Sequence, residues 1–217
     1  MLNLAGGAAQ VSSLTIGPTA ASTLTFSNGN VSTRYLNVSG DVTIGQTGTV
    51  THAAETVTSG TVGSENQRMC LVVGGNMTIA AGGKIDVTGK GYKEATRRAG
   101  AGPGTSAFAS GGGAGSGGEG GGGAGGTTYG SVTNPVNSGS GGTGQGNGSW
   151  GSAGGGTVLL TVNGALTLNG SILADGASAS NAAESPGAGS GGSVNVTAGS
   201  LSGSGIVSAN GGTWTSA

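Results

Sequence analysis

The sequence predicts an all-β chain, a parallel β-solenoid with about three short strands per coil and a large glycine-rich insertion. Two observations predict it. Apolar residues alternate with small polar ones in short runs bounded by Gly or Asn-Gly, and no run carries a helical period. Three stretches also match as units: "LVVGGNMTIAAGGKIDVTG" (71–89), "LTVNGALTLNGSILADG" (160–176) and "VNVTAGSLSGSGIVSANGG" (194–212).

The strands follow in order from the alternation. "SLTIG" (13–17), "TLTFSNG" (23–29), "YLNVSG" (35–40) and "DVTIG" (41–45) place Val, Ile, Leu and Thr where a pleated surface favours them. The closing Gly and Asn suit turns that need positive φ. In the matched units Met77 and Ile79 align with Leu166 and Leu168. Ile85 and Val87 align with Ile172 and Ala174, and then with Val207 and Ala209. A unit of roughly 17–20 residues cannot bury its own inward side chains, whereas a stack of units makes a continuous apolar column. A β-sandwich is the competing arrangement, because alternating short strands suit it too.

The chain reads as one domain, 1–217, with insertions at about 90–156 and 177–192. The first holds "GGGAGSGGEGGGGAGG" (111–126), within which ordering each glycine costs roughly 0.5–1 kcal/mol relative to alanine. Such a run invites two readings. Either it packs back as extended, polyproline-II-like segments whose backbones approach closely, or it is a solvated low-complexity loop.

Composition excludes more than it assigns. A net charge of −1 with 7% charged residues argues against a general nucleic-acid binder. The single cysteine, Cys70 in "MCLVVGG", excludes an internal disulfide and reads as a small buried apolar residue. No apolar run approaches a membrane span, and "MLNLAGGAAQ" lacks the basic and apolar regions of a secretory signal. Export then uses another route, or the signal has been removed, or the chain belongs to a phage particle. No cofactor or metal is implied.

The stretches "GGKIDVTGKGY" (82–92), "YGSVTNPVNSGSGG" (129–142), "GGGTVLLTVNGALTLNGSILADG" (154–176) and "GSGGSVNVTAGSLSGSGIVSANGG" (189–212) resemble the glycine-rich β-solenoid repeats of large secreted bacterial surface proteins, loosely adhesin-like. The resemblance covers most of the chain from about residue 70. It implies an extracellular or cell-surface setting and says little about activity, because fold analogy alone does not give function.

Candidate chemistry is sparse. The eight carboxylates form no ladder in the aligned units, where Asp86 falls opposite Leu173 and Asp175 opposite Asn210. His52 reads as a solvated strand-end residue, and one His with one Cys assembles no nucleophilic set. The charge cluster Lys84, Lys90, Lys93, Arg97 and Arg98 surrounds Tyr92 at the mouth of the large insertion. It suits an acidic glycan or a partner subunit, or else mere solubility with Glu94 and Asp86 as local partners. Trp150 and Trp214 suit either sugar stacking or packing of loops and ends. Leu2 and Leu4 near one end and Trp214 near the other are candidate self-assembly contacts, since nothing charged or Pro-rich blunts the last strands. The expected function is a non-enzymatic structural rod or filament module, whose partner is itself or further coils of a longer chain. A glycan-binding adhesin of a bacterial surface or phage is the alternative, and a polysaccharide lyase or hydrolase a weaker one.

Overall fold

A computed structural model describes residues 2–3, 9–27, 35–58, 61–93, 100–105, 125–144, 151–180 and 186–215. Every strand pair in it is parallel. The first seven strands are β1 (Leu2–Asn3), β2 (Ala9–Val11), β3 (Leu14–Ile16), β4 (Ser22–Ser27), β5 (Leu36–Val38), β6 (Val42–Ile44) and β7 (Gly48–His52). Next come β8 (Met69–Val73), β9 (Met77–Ile79), β10 (Lys84–Asp86), β11 (Thr157–Leu168) and β12 (Ser171–Leu173). The last are β13 (Ala179–Ser180), β14 (Ser193–Ser202), β15 (Ile206–Ser208) and β16 (Trp214–Thr215).

One sheet has six strands in the order β1-β4-β7-β10-β12-β15. A second has eight, ordered β2-β5-β8-β11-β9-β6-β3, with β14 also paired to β11. A third is the short pair β13-β16. This corrects the expected β-solenoid of three short strands per coil, which requires three separate sheets of equal strand number. Strand β11 is 12 residues long and β14 is 10, so each runs unbroken through what would be two strand positions and a corner. The architecture is all-β, with two main parallel sheets of unequal size.

The alignment of side chains nevertheless follows the sequence pattern. Met77 stands opposite Leu166, and Ile79 opposite Leu168. Ile85 stands opposite Ile172, which stands opposite Val207. Alternation makes the odd members of each short run face inward, as the buried–intermediate–buried pattern of β5, β6, β8 and β9 shows. Their columns build the apolar core, for example Leu36, Leu71 and Leu160, or Val38, Val73 and Val162. Burying each such side chain stabilises the fold by about 1.5–3 kcal/mol.

Between Val87 and Gly156 the described residues contain no strand, yet much of the chain there is buried. Segments 139–143, 151–156 and 187–192 bond backbone to backbone. The N–H groups of Gly139 and Gly142 donate to the carbonyls of Gly155 and Ser152. Ser140 and Thr143 accept from Ser190 and Gly187, and Gly141 donates to Ala101. Partners therefore recur every three residues, the period of a polyproline-II segment. Three neighbours surround one strandless run in these segments, which lie outside the 111–126 run that invites the two readings. Residues 111–124, most of the densest glycine tract, lie outside the described residues.

Glycine is needed here for approach. A β-carbon on Gly154 would overlap the carbonyl oxygen of Gly139, and one on Gly155 would overlap that of Ala174. Backbone cannot yield as a side-chain tip can. Gly155→Ala is therefore expected to cost about 3 kcal/mol or more in chemical denaturation. Gly211→Ala meets nothing closer than 3.8 Å and is expected to be neutral within about 0.5 kcal/mol or mildly stabilising. Equal effects from the two substitutions would contradict the close packing.

Candidate functional site

Where the glycine segments meet the sheets, the chain buries a set of polar side chains. Strand β7 alternates inward at Gly48, Val50 and His52, and His52 is fully buried. This corrects its reading as a solvated residue. Its Nδ1–H donates to the carbonyl of Ala53 at 2.7 Å, leaving Nε2 to accept the N–H of Thr157 at 3.1 Å. Thr157 opens β11, so this bond fastens the chain where it re-enters the sheet.

Two carboxylates act in the same way. Glu55 is fully buried, and its oxygens accept four backbone N–H groups, from Thr56, Val57, Asn66 and Gln67. Glu65 accepts Asn137 Nδ2 at 3.0 Å and the Ser138 N–H at 3.3 Å, while its other oxygen pairs with Arg68 at 3.2 Å. The loop around 55–68 is thus tied both to itself and to the glycine-rich chain some seventy residues on. Ser138 and Thr157 share a hydroxyl hydrogen bond at 2.9 Å, closing the ring of contacts. With these lone pairs engaged, the cluster works as a fastener. No group of three or more potential metal ligands occurs among the described residues.

The residues singled out from the sequence are dispersed. Tyr92 is fully buried, bonded through its hydroxyl to Ser64 and Thr61, so its place in a surface patch is corrected. Burial pushes its phenol well above the ordinary range. Lys84 pairs with Asp86 at 2.9 Å. Burial alone would raise the Asp86 carboxyl, but Lys84 and Thr88 outweigh it and hold it below its usual value. Lys90 is half-buried and Lys93 exposed. Arg97, Arg98, Trp150 and Leu4 lie outside the described residues. Leu2 belongs to β1, and burial pushes the half-buried Cys70 thiol up to about 11.

Four of the eight large apolar side chains exposed among the described residues lie on the last strands. Leu201 in β14 is 67% exposed, whereas its register partner Leu166 in β11 is 1% exposed. Val207 in β15 is 54% exposed and its partner Ile172 is fully buried. Ile206 and Trp214 are also exposed. Core columns therefore run out into solvent on β14 and β15, each of which has one strand neighbour among the described residues. On β15, Ile206 N–H donates to Gly170 and Ser208 O accepts from Ala174. Parallel strands alternate their bonding sides, so Val207 turns its own N–H and C=O outward. Leu201, Ile206 and Val207 carry no charge signal in the sequence; they share the alternation that marks the core.

No protein-family model, curated protein or solved structure matches the chain.

His52 gives the cluster a pH signature. Burial, chiefly, lowers its pKa from 6.5 to about 4, against the opposing pull of the Ala53 carbonyl. The unfolded chain therefore binds the proton first as pH falls. Stability is full above about pH 6.5, declines toward pH 4, and loses about 3 kcal/mol over that window from this residue. Urea titrations at pH 7.5, 5.5 and 4.5 should show the decline in the native chain. A His52→Gln variant should lack this component, and an unchanged slope in that variant would contradict the assignment.

Proposed function

We propose that this chain is a structural, surface-presenting module that joins copies of itself through its open sheet ends, outside the cell or on a virion. The observation that carries the reading is the abrupt exposure of core columns at Leu201 and Val207, one strand beyond nearly fully buried partners. An edge with outward N–H and C=O groups and uncovered apolar side chains is a template for another strand. The opposite edges, β1, β2 and β3, come from different sequence. A contact between unlike edges is head-to-tail, and unless it closes into a ring it propagates as an open filament. The resemblance to glycine-rich surface repeats supports the extracellular setting.

Electron microscopy of negatively stained protein across a concentration series tests this. Filaments that lengthen with concentration are expected. Leu201→Lys should raise the concentration at which they appear by about tenfold or more, from loss of one buried leucine per contact. Val207→Pro should abolish them without unfolding the monomer, because the proline removes only an outward N–H. Separate particles at every concentration would overturn the reading.

A further inference from the structure

The glycine-rich region contains one stretch with ordinary side chains, and it folds over a hollow. Residues 128–132, Pro135 and Asn137, together with Gly192 and Ser193, line a half-open pocket of about 360 Å³. That volume falls in the range of small-molecule sites. We propose that it binds a single unit of an uncharged sugar.

The lining has the chemistry such a ligand needs. Among the described residues it contains no Lys, Arg, Asp, Glu or His. Tyr129 contributes an aromatic ring whose hydroxyl is held at its tip, donating to the Ser138 carbonyl and accepting from Ser140 Oγ. The ring is therefore set before any ligand arrives, and little side-chain freedom is lost on binding. Val132 and Pro135 add apolar surface for the C–H face of a pyranose, and Ser131 and Ser193 add hydroxyls.

Asn137 marks the polar side of the hollow. It is only 8% exposed. Its Nδ2 donates to Glu65 Oε1, which fixes which end of the amide is which, and its backbone carbonyl accepts Ser193 Oγ. Its Oδ1 accepts no hydrogen bond from any described residue. That oxygen stands 3.7 Å from where a β-carbon on Gly130 would lie, and Gly130 and Asn137 both line the cavity. An amide oxygen with no protein donor, on a residue that lines the hollow, is free to accept from a ligand hydroxyl. An anionic ligand is disfavoured, because no cationic side chain lines the hollow among the described residues.

Saturation-transfer NMR on the full chain tests the site, using the methyl glycosides of glucose, galactose, mannose and N-acetylglucosamine, with sialic acid as the charged comparison. Transfer to at least one neutral glycoside and none to sialic acid is expected. Val132→Trp alters a residue that is 95% exposed at the cavity wall. It should abolish transfer while leaving thermal unfolding unchanged. Tyr129→Ala should weaken binding by about tenfold or more, as expected for loss of a stacking ring. Transfer to none of the four neutral glycosides, stronger transfer to sialic acid, or transfer that survives Val132→Trp would each overturn the proposal. The Val207→Pro variant should bind sugar as the native chain does, which separates this site from the self-association of the sheet edges.

Discussion

A buried backbone N–H must find a carbonyl, and in the glycine-rich segments of this chain that requirement is met without strands or helices. Segments 139–143, 151–156 and 187–192 satisfy one another only because their glycines let the backbones touch. The entropic cost of ordering glycine is about 0.5–1 kcal/mol per residue. Each hydrogen bond returns a net amount of similar size, about 1 kcal/mol. Such a bundle is then near balance by itself, so its attachment to the sheets matters. His52 and Glu65 make that attachment from buried positions, and Glu55 fastens the loop that carries Glu65. Removing one partner leaves a polar group stranded, which is the costly event in a buried network.

The sheets depend on the same junction. Strand β11 begins at Thr157, whose N–H is held by His52, and it then pairs with β8, β9 and β14. It therefore joins two ladders that would otherwise lie side by side as separate sheets. Its partners bring the apolar columns into register, and the column of Met77 and Leu166 ends uncovered at Leu201 on β14. One continuous strand thus connects the glycine bundle, the core and the proposed docking edge. The fastened junction supports the edge, because a frayed β11 would release β14 with it.

Much of this was legible in the sequence, and the failures have identifiable causes. The alignment of Met77 with Leu166 and of Ile85 with Ile172 and Val207 emerged from alternation alone, because side-chain parity survives any arrangement of the sheets. The sheet count did not. "TVNGAL" reads as a turn at Asn163-Gly164, but the strand passes through with a register shift between Val162 and Ala165. Gly164 N–H finds Gly75, and Ala165 N–H finds Asn76 Oδ1, so the apparent turn stays paired. The polarity of His52 suggests solvent, but its parity places it on the inward side with Val50. Tyr92 stands among charged neighbours in sequence, but that proximity says nothing about which way its ring packs, and it is buried. The hollow beside Tyr129 and Asn137 depends on contacts between residues more than fifty positions apart, which no local pattern reports.

The most direct measurement of edge-to-edge joining is amide hydrogen exchange at Val207, followed by NMR or mass spectrometry from dilute to concentrated solution. Its N–H points away from β12 and has no partner within the described chain. In dilute solution it should exchange as fast as an open amide, while Ile206, bonded to Gly170, is protected. On concentration Val207 should become protected in step with assembly. A Val207 amide that exchanges at one rate across the whole series, in solutions where the protein demonstrably associates, would contradict joining through this edge.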